Sequence, residues 1–319
     1  IQSVTAARKN LEAGFTTMRD MDSEGAGFAD IALRDAINRG IVPGPRLFVS
    51  GNPLTITAGY MNLLGFSPDI TLPDPGVPTD TLPAMIGEVR RNVKYGVDLI
   101  KIYVTGSLPQ VTPDFKPLPQ FSFEEVKAVV DEAARWHKDV AAHAYGGVGA
   151  RNAIQAGVRS IEHGILLEDE DIALMVKHGT FWCPTLAVYM HEPGLERHGD
   201  AFMTEVLARH KHGFQAALKA GVKIAFGTDV GGFEHGEGGR EFQYMVQFGM
   251  SPIDAIRSAT VRGAELLRRE KDLGAIAPGR YADIIAVEGN PLEDIESMRR
   301  VRFVMKAGTV HKEPPARRP

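Results

Sequence analysis

Asp98-Leu99-Ile100-Lys101-Ile102-Tyr103-Val104 decides the fold. It reads as a short apolar strand, and it carries a lysine at its centre. Working outward, similar segments recur on both sides. Upstream lie Phe15-Thr16-Thr17-Met18-Arg19-Asp20, just after the helix stop Gly14, and Arg46-Leu47-Phe48-Val49-Ser50. Downstream lie Val140-Ala141-Ala142-His143-Ala144, Arg159-Ser160-Ile161-Glu162-His163, Thr180-Phe181-Trp182-Cys183-Pro184 and Lys223-Ile224-Ala225-Phe226-Gly227-Thr228-Asp229. Between these runs the apolar spacing changes to a helical period. In Ser122 to His137 it falls on Val126, Val129, Val130, Ala133 and Ala134, and Ser122 with Glu125 forms a capping-box pattern. Val148 to Ala156, Asp169 to Lys177, Ala201 to Ala220 and Pro252 to Arg268 read the same way. Strands alternating with helices predict an α/β chain of parallel units, and seven in one run favour a (β/α)8 TIM barrel.

Ile1 to Glu12 reads as the later part of a helix. Pro53 to Pro83 is Pro/Gly-rich and is expected to be a long loop. After Arg269 the pattern turns to short β segments: Leu273 to Ile276, Pro278 to Val287, Val301 to Lys306 and Gly308 to Val310. The expected organisation is a barrel over 1–270, part of a small β-sandwich domain over 271–312, and a tail over 313–319.

Of the 319 residues, 44% are hydrophobic and 24% charged, the balance of a globular protein. The net charge of -4 argues against nucleic acid or an anionic membrane surface as partner. No apolar run reaches the roughly 20 residues that span a bilayer. One cysteine, Cys183, excludes an intrachain disulfide and fits a reducing compartment. A cytoplasmic and a periplasmic or secreted location both stay open, because nothing before Ile1 is given.

Polar residues on the strands point to chemistry. Lys101 sits between Ile100 and Ile102, His143 lies near the end of its strand, and His163 and Asp229 end theirs. Taken singly, a strand histidine is more often a hydrogen-bonded core residue, and a strand lysine usually reaches for solvent. Together they occupy equivalent ends of four strands, where barrel side chains converge on the active site.

These residues carry a resemblance. Lys101 in Asp-Leu-Ile-Lys-Ile, His143 in Ala-His-Ala, His163 in Ile-Glu-His-Gly and Asp229 in Gly-Thr-Asp are similar to the amidohydrolase superfamily. Its imidazolonepropionase-related branch, with Xaa-Pro dipeptidases and ochratoxin-type carboxypeptidases, fits best. Gly14 to Asp20, Pro43-Gly44-Pro45-Arg46 and Pro278 to Asp283 also look like that branch. The resemblance implies two divalent metals, usually zinc. Lys101, carboxylated by carbon dioxide, would bridge them as a carbamate. His143 and His163 would bind the second metal, and Asp229 the first. Asp229 would also act as general base and acid for a metal-bound hydroxide. Carbamate formation needs a neutral lysine, which burial favours.

One departure stands out. The family's first strand carries a His-x-His pair, and none precedes Phe15. The expectation is a barrel whose first strand lies outside this sequence, with seven strands remaining and a chain weakly active or inactive by itself. The pair His210 and His212 reads as the solvated face of a helix. Tyr145, His235 and Tyr60 are candidate substrate contacts, Tyr60 standing where the branch often has histidine. The predicted function is hydrolysis of an amide bond in a dipeptide or N-acyl amino acid. The alternatives are a cyclic-amide or imidazolone hydrolase, and an inactive barrel acting as a binding module. The expected partner is a small amide or dipeptide, with no nucleic acid and no membrane, and the chain is expected to form a homo-oligomer.

Overall fold

The computed structural model describes residues 1–60, 67, 70, 73–191 and 200–314. Its elements are α1 (Gln2–Glu12), β1 (Thr17–Asp20), α2 (Ala29–Asn38), β2 (Arg46–Val49), β3 (Leu54–Thr55), β4 (Val77–Pro78), α3 (Leu82–Tyr95) and β5 (Ile100–Tyr103). Then come α4 (Phe123–Arg135), β6 (Val140–Ala144), α5 (Gly147–Ala156), β7 (Ser160–His163), α6 (Asp169–His178), β8 (Phe181–Cys183), α7 (Leu186–His191), α8 (Asp200–Ala220) and β9 (Lys223–Ile224). The chain continues through α9 (Arg240–Gln247), α10 (Pro252–Ala259), α11 (Val261–Leu266), β10 (Ile284–Val287), β11 (Val301–Lys306) and β12 (Thr309–Lys312).

The strands β4-β3-β5-β6-β7-β8-β9 form one sheet and β1-β2 a parallel pair. Between β2 and β5 the Asp98 N–H donates to the Val49 carbonyl at 2.8 Å, which joins the two groups. The architecture is the (β/α) barrel that the strand-helix alternation predicts. Its strand positions are β1, β2 with its continuation β3, and β5 to β9. Among the described residues no strand pairs with the second edge of β1 or of β9. Arg19 spans the interior between them. Its guanidinium reaches Ser160 at 2.9 Å and Glu162 at 2.8 Å on β7, and Cys183 at 3.3 Å on β8.

Local chemistry explains the helices. Ser122 and Glu125 close the capping box at α4, with bonds of 3.3 and 2.8 Å. Thr81 caps α3 by accepting from the Ala84 N–H, and Gly96 ends that helix at φ +92°. Helices α2, α3 and α9 were not anticipated, and the expected loop over 53–83 carries the two-residue strands β3 and β4. Its residues 61–66, 68, 69, 71 and 72, like tail residues 315–319, lie outside the described residues. The expected Pro252 to Arg268 helix breaks at Thr260 (φ −118°, ψ −89°) into α10 and α11. The last barrel strand is shorter than predicted, because the chain leaves strand geometry before Asp229, at φ +54°.

β10, β11 and β12 form one antiparallel sheet, in keeping with the part of a small β domain expected after the barrel. Leu273 to Ile276 is not a strand. Two sequence motifs meet where this sheet joins the barrel. Arg46 of β2 pairs with Asp283 at 2.6 Å, donates to Thr17 Oγ1 at 2.8 Å and lies 4.2 Å over the Tyr281 ring. Both side chains of the pair are largely buried, at 16% and 11% exposure. Arg46→Met is therefore expected to lower stability by about 3 kcal/mol, since it strands a buried carboxylate. Urea midpoints check this. A double variant with Asp283→Asn should lose less than the two single losses combined.

Candidate active site at the strand ends

Strand alternation turns Lys101 and Tyr103 of β5 and His143 of β6 to one face. The register sets Tyr103 beside His143 and His143 beside Glu162. The two imidazoles meet edge to face, with ring centres 4.7 Å apart. Asp229 follows β9, and its Oδ2 lies 4.0 Å from His163 Nδ1. Tyrosines enclose the group. Tyr60 stacks on Tyr103 at 4.3 Å and lies 4.5 Å from His143, Tyr145 is 4.8 Å from His143, and Tyr189 is 6.0 Å from His163. Tyr103 donates to the Asp22 carboxylate from the loop after β1. Apart from His143, these residues line a cavity of about 2050 Å3, which runs on between β1 and β9.

Of the predicted residues, the structure brings together Lys101, His143, His163, Asp229, Tyr145 and Tyr60. His235 lines the same cavity, but its Nδ1 lies 3.2 Å from Asn10 Nδ2 on α1. The reading of His210 as solvated is corrected. Its side chain is buried, packed against Trp182, Tyr189 and Phe248, while His212 is exposed. Helix α8 turns that one position into the apolar layer behind β8. Tyr103, Tyr189, Thr185, Glu162 and Glu241 were missed. Tyr103 shares the strand of Lys101 at a spacing of two, which was the available signal.

Burial sets the charges. It lowers the Lys101 pKa, with Glu162, Asp229 and Asp22 opposing. It holds His143 and His163 well below the ordinary imidazole value, with Lys101 adding to the effect at both. Both rings are neutral at physiological pH. The Asp229 side chain is 52% exposed, but to the cavity rather than the outer surface, and the enclosing walls raise its pKa. Burial also pushes Asp22 to about 6 and Glu24 to about 7.

These groups fit a metal. His143 Nε2 faces the Gly106 carbonyl at 3.4 Å, which leaves a buried Nδ1 with no hydrogen-bond partner. His163 Nδ1 is engaged by Thr185 Oγ1 at 2.9 Å, which leaves Nε2 for a ligand. The buried Lys101 amine has Tyr103 as its aromatic neighbour, 5.4 Å from the ring centre. Among the described residues, no three histidine, cysteine, aspartate or glutamate side chains are disposed as a metal cluster.

Glu241 of α9 is wholly buried and accepts from the N–H groups of Leu186 and Ala187 at 3.0 and 2.7 Å. Burial raises its pKa from 4.5 to about 8. The folded state then keeps a proton that the unfolded chain has released, so stability falls as pH rises from about 4.5 to about 8 and levels off above. Glu241→Gln removes this titration. The wild type is expected to lose stability relative to the variant across that window, by at most about 1.4 kcal/mol for each pH unit crossed. Urea midpoints of both proteins at several pH values check it. A constant difference would overturn the assignment.

A barrel whose strand ends hold a desolvated lysine, two neutral imidazoles and a carboxylate belongs to the hydrolase class of barrel enzymes. Residues 2–311 match the model of the Amidohydrolase family, and the chain belongs to that family. It is a hydrolase acting on amide bonds, in a family that generally uses divalent metals. It is 33% identical over 331 aligned positions to ochratoxinase of Aspergillus niger, covering 95% of this chain and 67% of that protein. A Xaa-Pro dipeptidase solved with methionine in its active site is similar at TM-score 0.89 and 38% identity, over 97% of this chain and 78% of that one. A prolidase solved with N-methylphosphonate-L-proline is similar at TM-score 0.81 and 32% identity, over 98% and 79%.

Proposed function

We propose that this enzyme cleaves the amide bond of a dipeptide of the Xaa-Pro kind or of an N-acyl amino acid. The observation that carries the reading is the convergence of Lys101, His143, His163 and Asp229, with a bare Nδ1 on His143 and a free Nε2 on His163. The relatives named for dipeptides and for ochratoxin support the substrate class. Lys101, as its carbamate with carbon dioxide, would hold divalent metal together with His143, His163 and Asp229, and two imidazole nitrogens beside two oxygen donors suit zinc. When bound, the metal supplies Lewis acidity towards water and the scissile carbonyl.

The chain's own residues do the rest. Neutral imidazoles offer lone pairs rather than protons. Asp229 takes the proton of the attacking water and returns it to the leaving amine, a task suited to a carboxylate whose pKa is raised. Tyr145, whose ring centre lies 4.8 Å from that of His143, would donate to the developing oxyanion. Tyr60, Tyr103 and Tyr189 wall the pocket and limit water.

Elemental analysis and a substrate panel test this. The full-length enzyme is expected to hold stoichiometric zinc and to hydrolyse Xaa-Pro dipeptides or N-acyl amino acids, and its His163→Ala variant to lose both. Equal zinc in the two proteins would sink the ligand assignment.

A further inference from the structure

Three buried polar groups have no part in the chemistry above: Thr185, His210 and Glu241. All three lie behind His163. Thr185 Oγ1 is 2.9 Å from His163 Nδ1. Trp182 Nε1 donates to the His163 carbonyl at 2.9 Å, and the His210 ring packs beside Trp182, 6.0 Å between ring centres. Glu241 grips the first two N–H groups of α7, the residues that follow Thr185.

We propose that Thr185 is a positioning residue that fixes the ring of His163, with Glu241 holding the chain just after Thr185 and Trp182 holding the His163 carbonyl. The proposal rests on His163 being a metal ligand. With Nδ1 protonated and donating to Thr185, the lone pair lies on Nε2. Without that partner the two neutral tautomers compete, and only one presents a lone pair where it is needed.

Backbone strain supports the assignment independently. His163 stands at φ +73° and Thr185 at φ +47°. The left-handed region is costly for non-glycine residues and most costly for a β-branched one. Such a conformation persists only where the surroundings over-determine it, and here they do. Glu241 pins the chain after Thr185, and Trp182 packs so closely that a Cβ on Gly164 would lie 2.5 Å from its Nε1. A glycine or asparagine at 185 would adopt the same φ at less cost, but neither places a hydroxyl on His163.

The test uses the metal-free protein labelled with 15N-histidine, together with zinc affinity by chelator competition. Long-range 15N–1H spectra report which His163 nitrogen bears the proton. Wild type and Thr185→Ser are expected to show Nδ1–H, and Thr185→Val a mixture of tautomers. Zinc affinity should fall about 10–100-fold in Thr185→Val, with Thr185→Ser recovering most of it. Glu241→Gln should fall between them, and kcat should drop more than KM rises. An Nε2–H tautomer in wild type would overturn the proposal. So would a Thr185→Val protein that loses thermal stability yet binds zinc as wild type does. If Thr185→Val does not fold, the wild-type spectrum and the other two variants decide. If wild type binds no zinc, the metal reading fails, while the tautomer still judges the role of Thr185.

Discussion

In the full-length enzyme, Asp229→Asn is expected to fold normally and to lose about 10²–10⁴ in kcat, the usual contribution of a general base. The fold should tolerate the change for two reasons. Asparagine enters the left-handed region as readily as aspartate, so φ +54° is not a barrier. The walls that raise the Asp229 pKa also make its ionised form unfavourable in the folded state. Removing a charge of that kind leaves stability unchanged or slightly higher above the unfolded carboxyl pKa. Activity should fall because the amide accepts no proton from water. Measurement of kcat beside the urea midpoint separates the two effects. A loss of less than about tenfold would mean that the proton goes elsewhere.

Lys101→Met should remove metal binding and hydrolysis together. Methionine keeps the length and apolar stem that Ile100 and Ile102 flank, but no amine. Losing a group that merely supports a ligand costs about 10–100-fold in metal affinity, so losing the ligand itself should exceed about 100-fold. The apo protein should respond in the opposite sense. The folded pKa of Lys101 lies below the free value, so at neutral pH the folded state bears the cost of a desolvated ammonium or of a lost proton. The variant is expected to unfold at higher urea when both proteins are stripped of metal. A direct readout is the carbamate. Wild type in buffer equilibrated with 13C-bicarbonate and zinc should show a carbamate carbon that Lys101→Met lacks. Its absence from wild type would remove the carbamate and leave only the two imidazoles and Asp229.

Strand order was legible because each strand is a local apolar run bounded by turn residues. Lys101 within β5, His143 and His163 near the ends of β6 and β7, and Asp229 after β9 follow that order. The limits of that reading are physical. Helix α3 rests on its Thr81 cap and the left-handed Gly96 and starts inside the stretch where proline and glycine suggested loop, while α2 has no side-chain cap at its start. His210 looked solvated because its apolar neighbours Trp182, Tyr189 and Phe248 lie on three other segments. The Arg19–Glu162 pair joins residues 143 apart in sequence, and no periodicity reports a charge that finds its partner across a barrel.

The sequence by itself determined the parallel α/β order, the family's motifs and the residues offered for chemistry, since each depends on side chains within one strand or turn. Only the tertiary structure decided their electrical state and aim. Desolvation pushes Lys101 towards its neutral form and holds the two imidazoles neutral, and it is a property of everything packed around them. His163 Nδ1 meets a hydroxyl just past the next strand, and the chain after that hydroxyl meets a carboxyl group on α9, because a hydrogen bond takes whichever partner folding brings within reach.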